Sequence, residues 1–228
     1  AFHYETAVII FDGLKKLYED GETAIYYLMV GNDNYIMPKM PEGCKEGIIK
    51  GIYKFRTKER EQGKHRVQLF GSGAIMNCVL KAQEILADQY GVSSDVWSVT
   101  SYNELRRDAQ ECKRWNMFHP TMEPRKSYLE TVLEGSEGPF IASSDYVQAH
   151  SEQVAQFLPD DFLALGTDGM GRSETRPALR RHFEVDAECV TVAALYQLCQ
   201  QGKVDAATVE KAIKDLGVDP DKISPLYA

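Results

Sequence analysis

Residues 163–186, LALGTDGMGRSETRPALRRHFEVD, constrain the fold more than any other stretch of the chain. A short apolar run ends in three glycines and is followed at once by the start of a helix. Phe162–Leu165 is too short to show helical periodicity and reads as a buried strand, while Gly166, Gly169 and Gly171 permit the backbone turns of a sharp exit. Ser173 or Thr175 can cap the first amides of the next helix, and Pro177 sits in its first turn, where a missing N–H costs little. Strand, glycine loop and helix in that order make one α/β unit.

The same order recurs upstream. Residues 67–70 read as a strand that leaves through Gly71, Ser72 and Gly73 into a helix carrying Ile75, Val79, Ala82 and Leu86 and stopped by Gly91. Residues 96–100 form the next strand, and its helix opens with a capping box, Ser101 to Glu104. After an irregular stretch, 115–125, come a short helix at 128–133, a strand at 140–142 and a helix marked by Val147, Val154, Phe157 and Leu158. Two closing helices are capped by Asp186 and Asp205 and ended by Gly202 and Gly217. Alternating strands and helices predict an α/β, three-layer αβα sandwich with a mostly parallel sheet, because right-handed crossovers lay successive helices on its faces. Residues 52–57 and 66–71, joined by the polar KEREQGKH, suggest an antiparallel pair, with 52–57 as the antiparallel edge.

The first 40 residues fit less well into that scheme. Ala7, Ile10, Phe11, Leu14, Leu17 and Tyr18 share a helical face expected to be buried, with Gly13 a weak point of about 1 kcal/mol relative to alanine. Residues 22–30 read as an apolar strand, after which Pro38 and Pro41 forbid regular structure. Residues 1–40 are therefore expected to finish a preceding domain, and 45–228 to form one domain of their own. The chain opens on Ala1 without a methionine or a basic-then-apolar leader, so it is expected to continue from something longer.

A net charge of −8 argues against nucleic-acid or anionic-membrane partners, which need clustered lysine and arginine. The longest apolar run, 24–30, is too short to span a bilayer. Five cysteines without a CxxC pair favour reduced thiols in a cytosolic protein over a disulfide framework. The five histidines show no metal-ligand spacing, and His150, between Val147 and Val154, reads as a core histidine. Ser72 and Ser173 lack a nucleophile elbow. Lys54, Arg56, Lys58, Arg60, Lys64 and Arg66 form a basic run that reads as a solvated sheet edge.

These residues supply no catalytic and no metal site. The loop itself, with G-x-x-G-x-G spacing, matches neither the dinucleotide fingerprint nor a P-loop, so a structural turn is favoured over a phosphate cradle. Gly166, Asp168, Gly169, Gly171, Arg172 and Ser173 stand as a candidate interface or anion-contact loop, with Arg172 expected to anchor it through charge-assisted hydrogen bonds.

The stretches YETAVIIFDGLKKLY, NYIMPKMPEG, EGIIKGIYKF, VQLFGSGAI, AQEILADQYGVSSDVWSVTSYNELRRDAQECKRWNMFHP and LGTDGMGRSETRPALRRHFEVDA carry a resemblance over nearly the whole length. They resemble the C-terminal part of the homodimeric, bacterial-type pyruvate dehydrogenases, the decarboxylating component of the pyruvate dehydrogenase complex. The resemblance implies that residues 1–40 end a pyrimidine-binding middle domain and that 45–228 are a transketolase-type C-terminal domain, with five strands and one antiparallel edge. It implies a whole enzyme that uses thiamine diphosphate and magnesium, decarboxylates pyruvate and reductively acetylates the lipoyl group of the dihydrolipoyl acetyltransferase, as a cytoplasmic homodimer. The family's cofactor and catalytic motifs lie upstream of such a segment, so it implies no catalytic and no cofactor-binding residue here, and an isolated fragment that is inactive. Two alternatives remain beside it. One is the equivalent domain of a transketolase or another 2-oxoacid dehydrogenase. The other is a separate α/β module that binds a phosphorylated ligand at residues 166–173.

Overall fold

The computed structural model describes residues 1–60, 63 and 65–228. Its sheet contains β1 (Ile52–Lys58), β2 (Arg66–Gly71), β3 (Ser93–Val99), β4 (Phe140–Ser143) and β5 (Phe162–Leu165), in the order β1-β3-β2-β4-β5. The pairs β2–β3, β2–β4 and β4–β5 are parallel, and β1 runs antiparallel to β3. The mostly parallel, five-stranded sheet with one antiparallel edge is thus present.

Its edge is reached differently from the expected hairpin, because β3 lies between β1 and β2. All seven residues of β3, SSDVWSV, are buried, so it takes a partner on each side. β1 fully buries only Ile52 and Tyr53 and leaves Lys54 and Thr57 exposed, as suits an edge strand. One strand therefore separates Lys58 from Arg66, a gap of about 10 Å at the ~4.8 Å strand spacing.

Helices cover both faces. α3 (Met76–Tyr90), α8 (Ala187–Gln200) and α9 (Ala206–Asp215) pack on one side, where Val67, Leu69, Val96 and Ile141 point at Val79, Leu86, Val190 and Leu198. α4 (Tyr102–Phe118) and α5 (Tyr128–Val132) pack on the other, where Phe70, Trp97, Val99 and Phe140 meet Tyr102, Leu105 and Leu129. Neighbours such as Leu69 and Phe70 serve opposite faces because strand side chains alternate. α4 continues to Phe118, so the stretch expected to be irregular from 115 is helical over its first four residues. Of the expected capping box, the Ser101 hydroxyl does accept from the Glu104 amide, at 3.2 Å. A complete box forms one helix later, where Ser127 and Glu130 satisfy each other's backbone amides. After β4 the chain makes α6 (Gln148–Glu152) and a single 3-10 turn, and after β5 it makes α7 (Arg176–His182).

α1 (His3–Tyr18) and α2 (Lys45–Lys50) sit against the β1 edge. α1 does not bury its apolar stripe. Ile10, Phe11, Leu14, Leu17 and Tyr18 are exposed, Phe11 to 72%, whereas Phe2, Glu5 and Gly13 face inward. Gly13 lets the ring of Tyr26 come close, since a Cβ there would lie 3.1 Å from it. Residues 22–30, expected as a strand, pair with no other strand and cross back over α1 instead. A strand is stable only in a ladder, and among the described residues none borders this segment.

Of the basic run, Lys54, Arg56 and Lys58 lie on the edge strand, Arg60 follows it and Arg66 begins the interior strand β2, and these cations are paired. Lys54 and Arg66 reach Asp95 at 3.6 and 3.2 Å, Arg56 reaches Glu84 at 3.5 Å, and Lys58 and Arg60 reach Asp88. Lys64 lies outside the described residues. Burial on β3 pushes the Asp95 carboxyl upward. The Thr57 hydroxyl at 2.5 Å, the Lys54 charge, the Gln68 amide and the Arg66 charge outweigh that and hold it below the usual carboxylate range.

Candidate functional site at the carboxyl edge of the sheet

β2, β3, β4 and β5 all end on one edge of the sheet. From β2 the chain moves to β3 on one side and then returns to β4 on the other, so the connections diverge between the ends of β2 and β4. Open α/β sheets form a crevice at such a point. Two cavities meet there, of about 310 and 410 Å³, and both are lined by Ala74 after β2 and Asp145 after β4.

The first cavity lies between the ends of β2 and β3 and the start of α1. Tyr102, the first residue of α4, is 1% exposed, and its hydroxyl has no hydrogen-bond partner among the described residues. His150 on α6 meets the Tyr102 ring edge-on at 5.4 Å and the Tyr146 ring at 4.6 Å. It is half-buried at the cavity wall rather than enclosed in the core, and burial lowers its pKa, favouring the neutral imidazole.

Glu5 enters from α1. Its carboxylate, 2% exposed, accepts from the Phe2 amide at 2.8 Å, the Tyr53 hydroxyl at 2.8 Å and the Ser98 hydroxyl at 2.6 Å. Tyr53 also bonds the Tyr4 hydroxyl at 2.7 Å. Burial first, and the adjacent Glu5 charge second, drive the Tyr53 phenol far above its ordinary value, while burial pushes Tyr4 up to about 12. The network ties residues 1–5 to the sheet. Sequence reasoning missed it, since no local signal links Glu5 to a tyrosine 48 and a serine 93 positions away.

The glycine loop occupies the β5 end of the same edge, held by its neighbours from the β4 exit. The Thr167 amide donates to the Tyr146 carbonyl at 2.8 Å and its hydroxyl to the Asp145 carbonyl at 3.0 Å. Asp168 accepts from the Gln148 amide at 2.9 Å and so caps α6. A Cβ at Gly166 would sit 2.5 Å from the Tyr146 carbonyl, and one at Gly169, where φ is +102°, would sit 2.1 Å from the Pro225 carbonyl. Gly166 and Gly169 are therefore packing requirements. Gly171 and Arg172 line the second cavity, and Ser173 is exposed. Arg172 does not anchor the loop, because it makes no hydrogen bond or ion pair with the described residues. The arginines that reach across are Arg176, 2.7 Å from Asn32, and Arg180, 3.1 Å from Asp33.

Chemically this edge can bind and dock. Among the described residues no three His, Cys, Asp or Glu side chains gather to hold a metal ion. Burial raises the thiol pKa of Cys44, Cys78, Cys112 and Cys189, which keeps them protonated and poor nucleophiles. No helix is long and apolar enough to cross a membrane among the described residues.

Comparison with known proteins agrees with this geometry. Residues 51–186 match the transketolase-like TK C-terminal domain, and residues 1–38 match the pyruvate dehydrogenase E1 component middle domain. The pyruvate dehydrogenase E1 component of Escherichia coli K12 is 51% identical over 100% of this chain, and that of Pseudomonas aeruginosa is 45% identical over 99%. The chain spans 26% of the length of each. A crystal structure of transketolase from Pichia stipitis is similar at a TM-score of 0.46 and 16% identity, covering 74% of this chain and 21% of that one.

Proposed function

Since the chain belongs to the transketolase-like C-terminal domain family, we propose that it serves as the non-catalytic, C-terminal part of a bacterial-type pyruvate dehydrogenase E1 component. In this reading residues 1–40 finish the middle domain and 45–228 form the C-terminal domain. The whole protein decarboxylates pyruvate on thiamine diphosphate with magnesium and passes the acetyl group to the lipoyl group of the dihydrolipoyl acetyltransferase, as a cytoplasmic homodimer. The observation that carries the reading is 51% identity over the full chain to one quarter of such an enzyme.

In this reading the residues that hold magnesium and the diphosphate lie outside this chain. The role left to this chain is to dock. Glu5, Tyr53 and Ser98 fasten the middle-domain end onto the sheet, and Ile10, Phe11 and Leu14 on α1 face outward toward the rest of that domain. Gly166, Asp168, Gly169, Gly171, Arg172 and Ser173 serve as an interface or anion-contact loop and carry no catalytic step.

Calorimetry and turnover test this. The 228-residue chain should give no stoichiometric heat with thiamine diphosphate and magnesium, and the full-length protein should bind the cofactor and release carbon dioxide from pyruvate. Stoichiometric binding by the chain alone, or a full-length protein inert toward pyruvate, would overturn it.

A further inference from the structure

The second cavity lies where residues 31–33 meet the end of the sheet, and its contacts with Asn32 and Asp33 leave much of its polar rim unused. Its floor is apolar, built by Ile75, Leu179, Phe183 and Val185. Its rim carries three guanidinium groups, Arg172, Arg176 and Arg180, facing the carboxylates of Asp33 and Asp145. In a chain of net charge −8, this places a surplus of positive charge on the edge where the sheet opens its crevice. At about 410 Å³ it lies within the range of small-molecule sites, roughly 300–1,000 Å³.

The arginines are only partly occupied. Arg180 holds Asp33 at 3.1 Å, and Arg176 holds Asn32 at 2.7 Å and lies 3.6 Å from Asp33. A guanidinium presents five N–H donors in a planar fork, so one carboxylate and one amide oxygen leave most of this set free. Arg172 has no ion-pair partner among the described residues, and it lines the same cavity. Asp33 lies in a segment without regular structure and projects from it into the rim. It has the place and the chemistry of a carboxylate ligand.

We propose that this cavity is a binding site for a small organic anion, a carboxylate or phosphate head on an apolar body, and that Asp33 occupies the head-group position when the ligand is absent. The head pairs with Arg172 and Arg180, and the body covers Ile75, Leu179 and Phe183. Binding displaces Asp33 and frees the 31–33 segment from α7. Both head groups share this chemistry, since an arginine fork donates to the oxygens of either.

The test is calorimetric titration of the intact protein with phenyl phosphate and benzoate, with inorganic phosphate as the head alone and benzyl alcohol as the body alone. The exposed change Arg172→Gln and the double change Arg172→Gln, Arg180→Gln remove the rim charge, and Asp33→Asn removes the internal competitor. At least one aromatic anion should bind ten-fold or more tightly than inorganic phosphate or benzyl alcohol. The double variant should weaken it at least ten-fold, Arg172→Gln alone several-fold, and Asp33→Asn should tighten it several-fold. Preference for benzoate or for phenyl phosphate identifies the head group, and either supports the site. Affinity unchanged by Arg172→Gln, weakened by Asp33→Asn, or equal for inorganic phosphate and the aromatic anions overturns it.

Discussion

At the scale of single residues, the chain joins two parts of itself through one carboxylate. Glu5 is almost fully buried and accepts from the Ala1 terminal ammonium, the Phe2 amide, Tyr53 and Ser98, so its removal leaves four donors without their acceptor. Buried donors without partners cost about 1–3 kcal/mol each, less where they relax toward water. Glu5→Ala is therefore expected to lower stability by about 3 kcal/mol in urea denaturation. Glu5→Gln, which keeps the shape but turns an amide nitrogen toward donors, should cost about half as much. His150 gives a pH signature. Burial holds its folded pKa below the ordinary value of about 6.5, so below that pH the unfolded chain binds the extra proton. Its contribution to stability is complete above about pH 6.5 and declines as the pH falls. The difference in unfolding free energy between the parent and His150→Phe should thus change between pH 7 and pH 5, with the variant losing less on acidification. A difference independent of pH would show that His150 titrates alike in both states. The sequence marked His150 as apolar-facing but could not place it at a cavity wall, because that depends on Tyr102 and Tyr146 arriving from other elements.

Elements were legible where their signals are local. Gly91, Gly202 and Gly217 end their helices in the left-handed conformation, and the Asp186 carboxylate caps α8 through the Cys189 amide at 2.9 Å. Pairing was not legible, because it is decided by burial across the whole sheet. A polar connection between β1 and β2 looks like a hairpin until β3, buried along its whole length, claims the place between them. The stretch 22–30 has strand composition and no ladder to join. The β2–β4 pairing rests on a contact no pattern announces. Gly138, at φ +85°, leads into β4, and a Cβ there would lie 1.9 Å from the Arg66 carbonyl at the start of β2. Gly138→Ala must therefore shift one strand from the other in addition to adopting a left-handed backbone, and is expected to cost about 2–4 kcal/mol. Gly135→Ala, also at positive φ but with nothing within 4 Å, should cost only about 1 kcal/mol. Equal melting temperatures for the two variants would show that the β2–β4 approach is not tight there.

At the scale of the molecule, the candidate loop was visible in the sequence and its neighbours were not. Asp33 and Arg180 lie 147 positions apart, and nothing in either stretch announces the other. The same limit applies to α1, whose apolar stripe was read as a buried face. The stripe is real, but in this chain it points outward while Phe2, Glu5 and Gly13 do the packing. A helix with one side docked on the sheet and an apolar side in solvent is suited to lie between two bodies, and the function proposed above makes the second the remainder of the middle domain. This gives a prediction in which one substitution has two outcomes. In the 228-residue chain Phe11 is already 72% exposed, so Phe11→Asp should change stability by no more than about 0.5 kcal/mol. In the full-length protein the same change would place a charge against a buried apolar surface and should cost about 2–4 kcal/mol, read as a fall in the melting temperature. Phe2→Ala is the control, since Phe2 lies in the core against Phe55 and should cost about 3 kcal/mol in both. If Phe11→Asp is silent in the full-length protein while Phe2→Ala is costly there, the α1 stripe is ordinary surface, and residues 1–40 are an appendage of this domain rather than the end of the one before it.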